Sequence, residues 1–296
     1  MVKGYRWPYY LFTSANVCIL IGLALICVLP MVHLLALSLS SKSAVEAGKV
    51  VFAPIGLHWS NYTEILQDDR FIGGFLVSVK RVLIGTAIQM GMAAITAYPL
   101  SREARDLKGR NFLMWFFIFP MLFSGGMIPT YLLIRDIGLL DTFWALVIGP
   151  VSLPIFSVIL LMNFFRQLPK GLQEAAMIDG AGHLTILTRI FLPLSLPALA
   201  TLTLFSIVMH WNSWFDAVIY LNHMDKWPIQ AILRSFLMEQ VDTTNITPEQ
   251  LERMQKLSNR GLKAAQVFIV TLPILLIYPF LQKYFVKGIV LGSVKE

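Results

Sequence analysis

One polar stretch holds the residues whose types and spacing could do work. It reads Leu168-Pro-Lys-Gly-Leu-Gln-Glu174-Ala175-Ala176-Met-Ile-Asp179-Gly180-Ala181-Gly-His183 and runs on to Ile190-Phe-Leu192-Pro193. Pro169 suits the first turn of a helix, where a missing N–H costs nothing. Leu172, Ala175 and Ala176 then fall on one helical face. Gly180 admits a backbone angle that side chains resist, so the chain can turn there. Asp179 is placed to cap a second helix. The predicted product is a short helix–turn–helix whose small alanines seat in a partner's groove. Work of that kind is mechanical: a peg that passes on a partner's movement. Bond-breaking chemistry has no comparable residues. His33 and His183 lack companions at metal-ligand spacing, and no nucleophile with its base or pair of carboxylates stands out. The phosphate-cradling pattern Gly-x-x-x-x-Gly-Lys-Ser/Thr is absent. No catalytic residue, metal or cofactor is therefore assigned to this chain.

The elements that must position the peg are apolar. The chain has 296 residues, 56% hydrophobic and 14% charged, with a mean hydropathy of +0.68. Soluble domains carry about 25% charged residues. The excess falls in runs near Ser14–Leu39, Phe71–Leu100, Phe112–Ile134, Leu140–Phe165, Ile190–Phe215 and Ala264–Val286. A helix needs roughly 20 residues to cross a hydrocarbon core, and lipid forces backbone polar groups to pair internally. The fold class is all-α: a polytopic membrane protein with six transmembrane helices and a cytoplasmic helix–turn–helix. One transmembrane domain spans 1–296, with a cytoplasmic loop at 166–189 and a long outer loop at 216–263.

Lysine and arginine set the orientation. Lys3, Arg6, Arg102, Arg105, Lys108, Arg110, Arg166, Lys170, Arg189, Lys283, Lys287 and Lys295 fall on one side, against Lys42, Lys49, Arg70 and Arg135 in the short loops of the other. Both termini are expected in the cytoplasm. The first run is too long for a signal-peptide core and reads as a retained helix. The net charge of +7 lacks the basic face with aromatics that nucleic-acid binding uses. Cys18 and Cys27, nine residues apart on one helix, lie on nearly opposite faces and cannot pair. Ala87, Gly91 and Ala94 make a small-residue packing stripe. In the last outer loop, Thr247, Pro248 and Gln250 are expected to open a short helix through about Asn259.

The polar stretch resembles the conserved loop of ABC importer permeases: Glu-Ala-Ala, three residues, Gly, nine residues, Ile-x-Leu-Pro. Glu174, Ala175, Ala176, Gly180, Ile190, Leu192 and Pro193 fill every position. The likeness covers nearly the whole chain. Pro54-Ile-Gly-Leu-His-Trp-Ser-Asn61-Tyr62 is similar to the family's first outer loop, and Ala97-Tyr98-Pro-Leu-Ser101-Arg102 to the end of the second span in carbohydrate permeases. Gly138-Leu-Leu-Asp141-Thr142 is similar to their third outer turn, and Lys283-Tyr-Phe-Val-Lys-Gly288 with Gly292-Ser-Val-Lys295 to their tail. The best match is the smaller permease of the carbohydrate group, the type found in the maltose importer. Within that group it resembles importers of alginate- or pectin-type oligosaccharides. The 216–263 loop looks longer than in the simplest members, so nothing is carried over residue by residue there.

The resemblance implies a bacterial inner-membrane importer. A second homologous permease would share the pathway, two copies of a cytoplasmic ABC ATPase would hold ATP and Mg, and an extracytoplasmic binding protein would deliver the sugar. Glu174, Ala175, Ala176, Asp179, Gly180 and Ala181 would couple this chain to the ATPase, and transport would proceed by alternating access. Candidate path or gate residues are Trp211, Asn212 and Trp214 at the outer end of the fifth run, and Asn163 in the fourth. Aromatics at a membrane surface also form an interfacial belt, and lone polar residues in a span often serve only to join helices; His210 and Gln89 share that ambiguity. Lys80 and Arg81 are expected to snorkel to the interface. Two rivals fit less well. A secondary transporter would need mid-span carboxylates, and a membrane enzyme would need a reactive cluster.

Overall fold

The computed structural model describes residues 6–123, 125–149, 154–238 and 258–293. Every regular element among them is helical. Contacts divide the chain into two compact units, Met1–Asp69 with Ser235–Leu272, and Arg70–Arg234 with Pro273–Glu296.

In the first unit, α1 (Arg6–Ser38) exposes nearly all its apolar residues up to Leu29. The following loop folds back on the end of that helix, and α2 (Ser60–Gln67) locks it there. Asn61 donates from Nδ2 to the Ser38 carbonyl at 2.8 Å, and the Tyr62 and Ser38 hydroxyls meet at 2.7 Å. Asn61 is buried, so the Asn-x-Thr triplet it begins is a structural clasp. The predicted helix from Thr247 lies almost wholly outside the described residues; Asn259, where it was expected to end, begins α13.

The second unit is built on α3 (Asp69–Leu100), an unbroken helix of 32 residues. After it come α4 (Arg110–Leu122), α5 (Met127–Asp136), α6 (Phe143–Ile148) and α7 (Ile155–Gln167). Next are α8 (Lys170–Ile178), α9 (His183–Leu194), α10 (Leu196–Asn212), α11 (Phe215–Tyr220) and α12 (Ile229–Met238). The last helix is α13 (Asn259–Ser293), which, like α12, has residues in both units.

Six spans were expected, several of them interrupted by proline, and three of the six runs are broken into shorter helices. Among the described residues three helices are long and apolar enough to cross a membrane: Tyr9–Ser38 in α1, α3, and Asn259–Pro279 in α13. The third run is α4 and α5, bent by 116°, and the fifth is α9 and α10, bent by 84°. The fourth is divided between the short α6 and the 13-residue α7. Proline stands at two of these breaks. Pro154 precedes the first turn of α7, and Pro197 occupies the first turn of α10, where its missing N–H breaks no bond. Ser195, fully buried between Pro193 and Pro197, sits at the corner.

The core of this unit lies at the Leu100 end of α3. Ala93, Ala97, Tyr98 and Leu100 pack against Leu161 and Phe165 of α7, Ile186 and Phe191 of α9, and Leu202 of α10. Phe191 meets both Tyr98 and Phe165 edge to face, at 5.1 and 5.3 Å between ring centres. Of the predicted small-residue stripe only Ala94 is buried, while Ala87 and Gly91 face outward. The buried face of α3 runs instead through Arg81, Gly85 and Gln89.

Candidate functional site

The hairpin of α8 and α9 is fixed by its own backbone. Gly180 adopts φ +78°, which only glycine takes up without strain. The Gly180 N–H donates to the Met177 carbonyl at 3.1 Å and the Ala181 N–H to the Ala176 carbonyl at 2.9 Å. Those two crossed bonds are the Schellman termination of a helix. The spacing of Ala176, Gly180 and Ala181 follows from it: Ala176 and Ala181 are the two residues that motif brings together. Both pack on the core beneath. The predicted face of Leu172, Ala175 and Ala176 therefore divides, with Ala176 inward and Leu172 and Ala175 outward. Glu174 is also exposed, beside Leu172, Met177 and Ile178 at 45%, 41% and 87% exposure.

Asp179 does not cap the second helix as expected. Its N–H bonds to the Ala175 carbonyl at 3.0 Å and its backbone, φ −73° and ψ 5°, closes the first helix. The residue before α9 is Gly182, whose ψ of 164° has the extended form that a helix start requires. A π turn, Leu187–Phe191, follows within α9. Such turns are frequent at functional sites.

One foot of the hairpin touches the last turn of α3 and the other the segment just after it. At one, the Tyr98 hydroxyl lies 3.2 Å from His183 Nδ1, and Arg102 donates to the same hydroxyl with its guanidinium 4.5 Å from the ring centre. At the other, Lys170 pairs with Glu103. That hydrogen bond, with Arg105 nearby, holds the Glu103 carboxyl below its ordinary pKa of 4.5. Arg110 and Arg166 both donate to the terminal Leu100 carbonyl, at 2.9 and 3.3 Å.

The candidate path residues separate. Asn212 and Trp214 line one open groove of about 610 Å³ together with Phe205, Met209, Phe215 and Tyr278. Arg234 covers the Trp214 ring at 3.7 Å, and Asn212 accepts a hydrogen bond from Gln230 at 3.4 Å. Trp211 does not line it: it is 4% exposed and stands edge-on to Phe75 at 5.6 Å, because one residue along a helix turns a side chain about 100°. Asn163 is exposed on α7 and is not among the groove's lining residues.

Sequence reasoning missed a polar seam on the buried face of α3. Arg81 is fully buried rather than snorkelling. It makes a two-pronged pair with Asp216, one arm at 3.2 Å, and also reaches the Ser213 carbonyl at 3.5 Å. One turn along, the His210 ring lies against Gly85, where a Cβ would come within 2.7 Å of it. Two turns along, Ser206 donates to Gln89 and lies 3.2 Å from the Thr86 hydroxyl. Ser78 accepts the Ile229 N–H at 2.8 Å. The available signal was the four-residue spacing of Arg81, Gly85 and Gln89. Asp141, at φ 57°, ties the turn before α6 to the chain after α11: its N–H bonds to the Tyr220 carbonyl at 2.8 Å and its carboxylate to Lys226 at 2.5 Å.

Residues 89–291 match the model of the "binding-protein-dependent transport system inner membrane component" family. The chain is 43% identical to the polygalacturonan/rhamnogalacturonan transport system permease protein YtcP of Bacillus subtilis, over 93% of this chain and 95% of that one. It superposes with a TM-score of 0.86 on a chain of a bacterial ABC transporter involved in the import of the acidic polysaccharide alginate, at 30% identity, covering 96% of this chain and 100% of that one. A second alginate transporter chain, in a complex with an alginate pentasaccharide-bound periplasmic protein, shares the fold at 14% identity and a TM-score of 0.58, with 92% of each chain covered. The capped hairpin, the helical architecture and these likenesses agree, and the chain belongs to the family of inner membrane components of binding-protein-dependent transport systems.

Proposed function

We propose that this chain is the smaller permease of an ATP-driven importer of acidic oligosaccharides, with a second homologous permease, two copies of a cytoplasmic ATPase and an extracytoplasmic binding protein as partners. The observation that carries the reading is the hairpin. Its fold is set by backbone bonds and two inward alanines, which leaves Glu174, Ala175 and an apolar rim of Leu172, Met177 and Ile178 facing outward. An exposed apolar rim around a rigid peg suits a protein partner. In this reading Glu174, Ala175, Ala176, Asp179, Gly180 and Ala181 form the ATPase-coupling element, Ala176 and Ala181 by holding its shape. ATP and Mg stay on the partner. ATP binding shifts the importer between inward- and outward-facing states in proportion to its differential affinity for them.

The chain crosses the inner membrane six times in this reading, with the third, fourth and fifth crossings broken, and both termini are cytoplasmic. The hairpin faces the cytoplasm and the Asp216 end of the polar seam faces outward. The groove of Asn212 and Trp214 then belongs to the translocation path, with Arg234 adding positive charge for an acidic sugar. Acidic glycans are named for both a relative and a structural neighbour, which supports that class.

The test is a tagged pull-down of this chain from detergent-solubilised membranes, with co-purifying subunits identified by mass spectrometry. A second permease and an ATPase are expected. Recovery of this chain alone from an intact extract would return the secondary-transporter reading to first place.

A further inference from the structure

We infer that α3, rather than α9 and α10, receives the hairpin's movement, and that Tyr98, Glu103, Lys170 and His183 are the positioning residues that strap the hairpin to it. The inference rests on the reading of the hairpin as the ATPase-coupling element. By covalent connection the hairpin leads into α9, which contains a π turn and then meets α10 at an 84° corner. A push along that route arrives at a bend. By contact, one foot of the hairpin stands on the last turn of α3 and the other on the segment just after it. Lys170, the first residue of α8, pairs with Glu103. His183, the first residue of α9, lies 3.2 Å from the Tyr98 hydroxyl and 3.5 Å from Arg102. Between the feet, Ala176 and Ala181 pack on the cluster that holds Ala97, Tyr98 and Leu100. The hairpin is thus pinned to α3 at Tyr98 and through the apolar contact, and to the segment continuing from α3 at Glu103, an arrangement that resists rotation as well as translation.

From there α3 runs unbroken for 32 residues, about 48 Å at 1.5 Å per residue. Its far half carries Gly85 against His210 and Arg81 against Asp216. Those contacts reach α10 and α11 on either side of Ser213 and Trp214. The rod therefore links the hairpin to the edge of the groove through packed, paired contacts.

The experiment uses the whole importer in lipid nanodiscs, with Cys18 and Cys27 replaced and a fluorophore on Leu83→Cys, an exposed position on α3. The readout is the fluorescence change on adding ATP and vanadate. The unmodified strap is expected to show a change. Tyr98→Phe combined with Glu103→Ala keeps the aromatic ring and removes the hydroxyl at one foot and the carboxylate at the other; it should lower the equilibrium constant for the change by roughly 2- to 30-fold. The swapped pair Glu103→Lys with Lys170→Glu should restore the part due to that foot. In a complex whose feet are joined by a bis-maleimide through Glu103→Cys and Lys170→Cys, the change should persist, because the strap moves as one body. No ATP-driven change at Leu83 in the unmodified importer, full change with the strap removed, or loss of the change on cross-linking would each overturn the inference. Gly180→Val separates the two levels. If it leaves the change intact, the coupling reading of the hairpin fails; if it abolishes the change while the strap variants do not, only the strap fails.

Discussion

The hairpin and the polar seam are held together by opposite means. In the hairpin, the shape-setting bonds are backbone to backbone and span five residues or fewer, as in Gly180 to Met177 and Ala181 to Ala176. In the seam, side chains meet across more than a hundred residues: Arg81 with Asp216, Ser206 with Gln89. The first arrangement leaves an outward face free to meet a partner. The second leaves nothing outward and spends its polar groups joining α3 to α10 and α11. A part that must engage something else is capped locally, and a part that must keep helices in register is paired at long range.

The sharpest way to break this contrast is Asp216→Ala, which strands a buried guanidinium. Losing one partner of a buried pair costs about 3–5 kcal/mol, so thermal unfolding of the detergent-solubilised importer should shift strongly. Arg81→Met with Asp216→Leu should cost clearly less than the single change. Equal losses would mean the pair is not the seam's anchor. Next is Gly180→Val, which forces a β-branched residue to φ +78° at about 1–3 kcal/mol. Its loss should fall on uptake and on ATP-driven movement rather than on assembly. Full uptake would sink the coupling role. Ser206→Ala removes the hydroxyl that meets both Gln89 and Thr86; at about 0.6 kcal/mol on average for each hydrogen bond between membrane helices, the loss should be small in the same unfolding assay. The smallest effect is that of pH on the Lys170–Glu103 foot. The carboxyl's pKa is depressed in the fold, so its stabilisation is complete above the ordinary value of 4.5 and fades only as pH falls through the lowered one. The Leu83 fluorescence change should therefore owe no pH dependence above 4.5 to Glu103, and Glu103→Gln should leave its pH profile there unchanged in shape.

The same contrast explains what could be read from the chain alone. The Glu-Ala-Ala and Gly pattern is legible because a Schellman turn fixes residue types at fixed short offsets. Apolar runs are legible because lipid demands length. Asp179 was misplaced because an acidic residue three or four positions before a helix looks like a cap until the backbone shows that Gly182 holds that position. Arg81 was expected to snorkel because nothing local reveals a carboxylate 135 residues away. Trp211, Asn212 and Trp214 were grouped because they are neighbours in sequence; one step of helical rotation separates Trp211 from Asn212, and Trp214 lies beyond the end of α10. The breaks at Pro154 and Pro197 were visible as prolines, but the 84° corner depends on how α9 and α10 each pack on α3 and α7.

The outward rim of the hairpin has a consequence for manufacture. Ile178 at 87% exposure and Leu184 at 74% sit beside a rigid turn that cannot refold to hide them. A copy inserted without its companions would present a sticky apolar knob to the aqueous phase, the kind of surface on which chains aggregate and which chaperones and proteases sort. In the proposed assembly, supply of the companion subunits would then set how many copies survive.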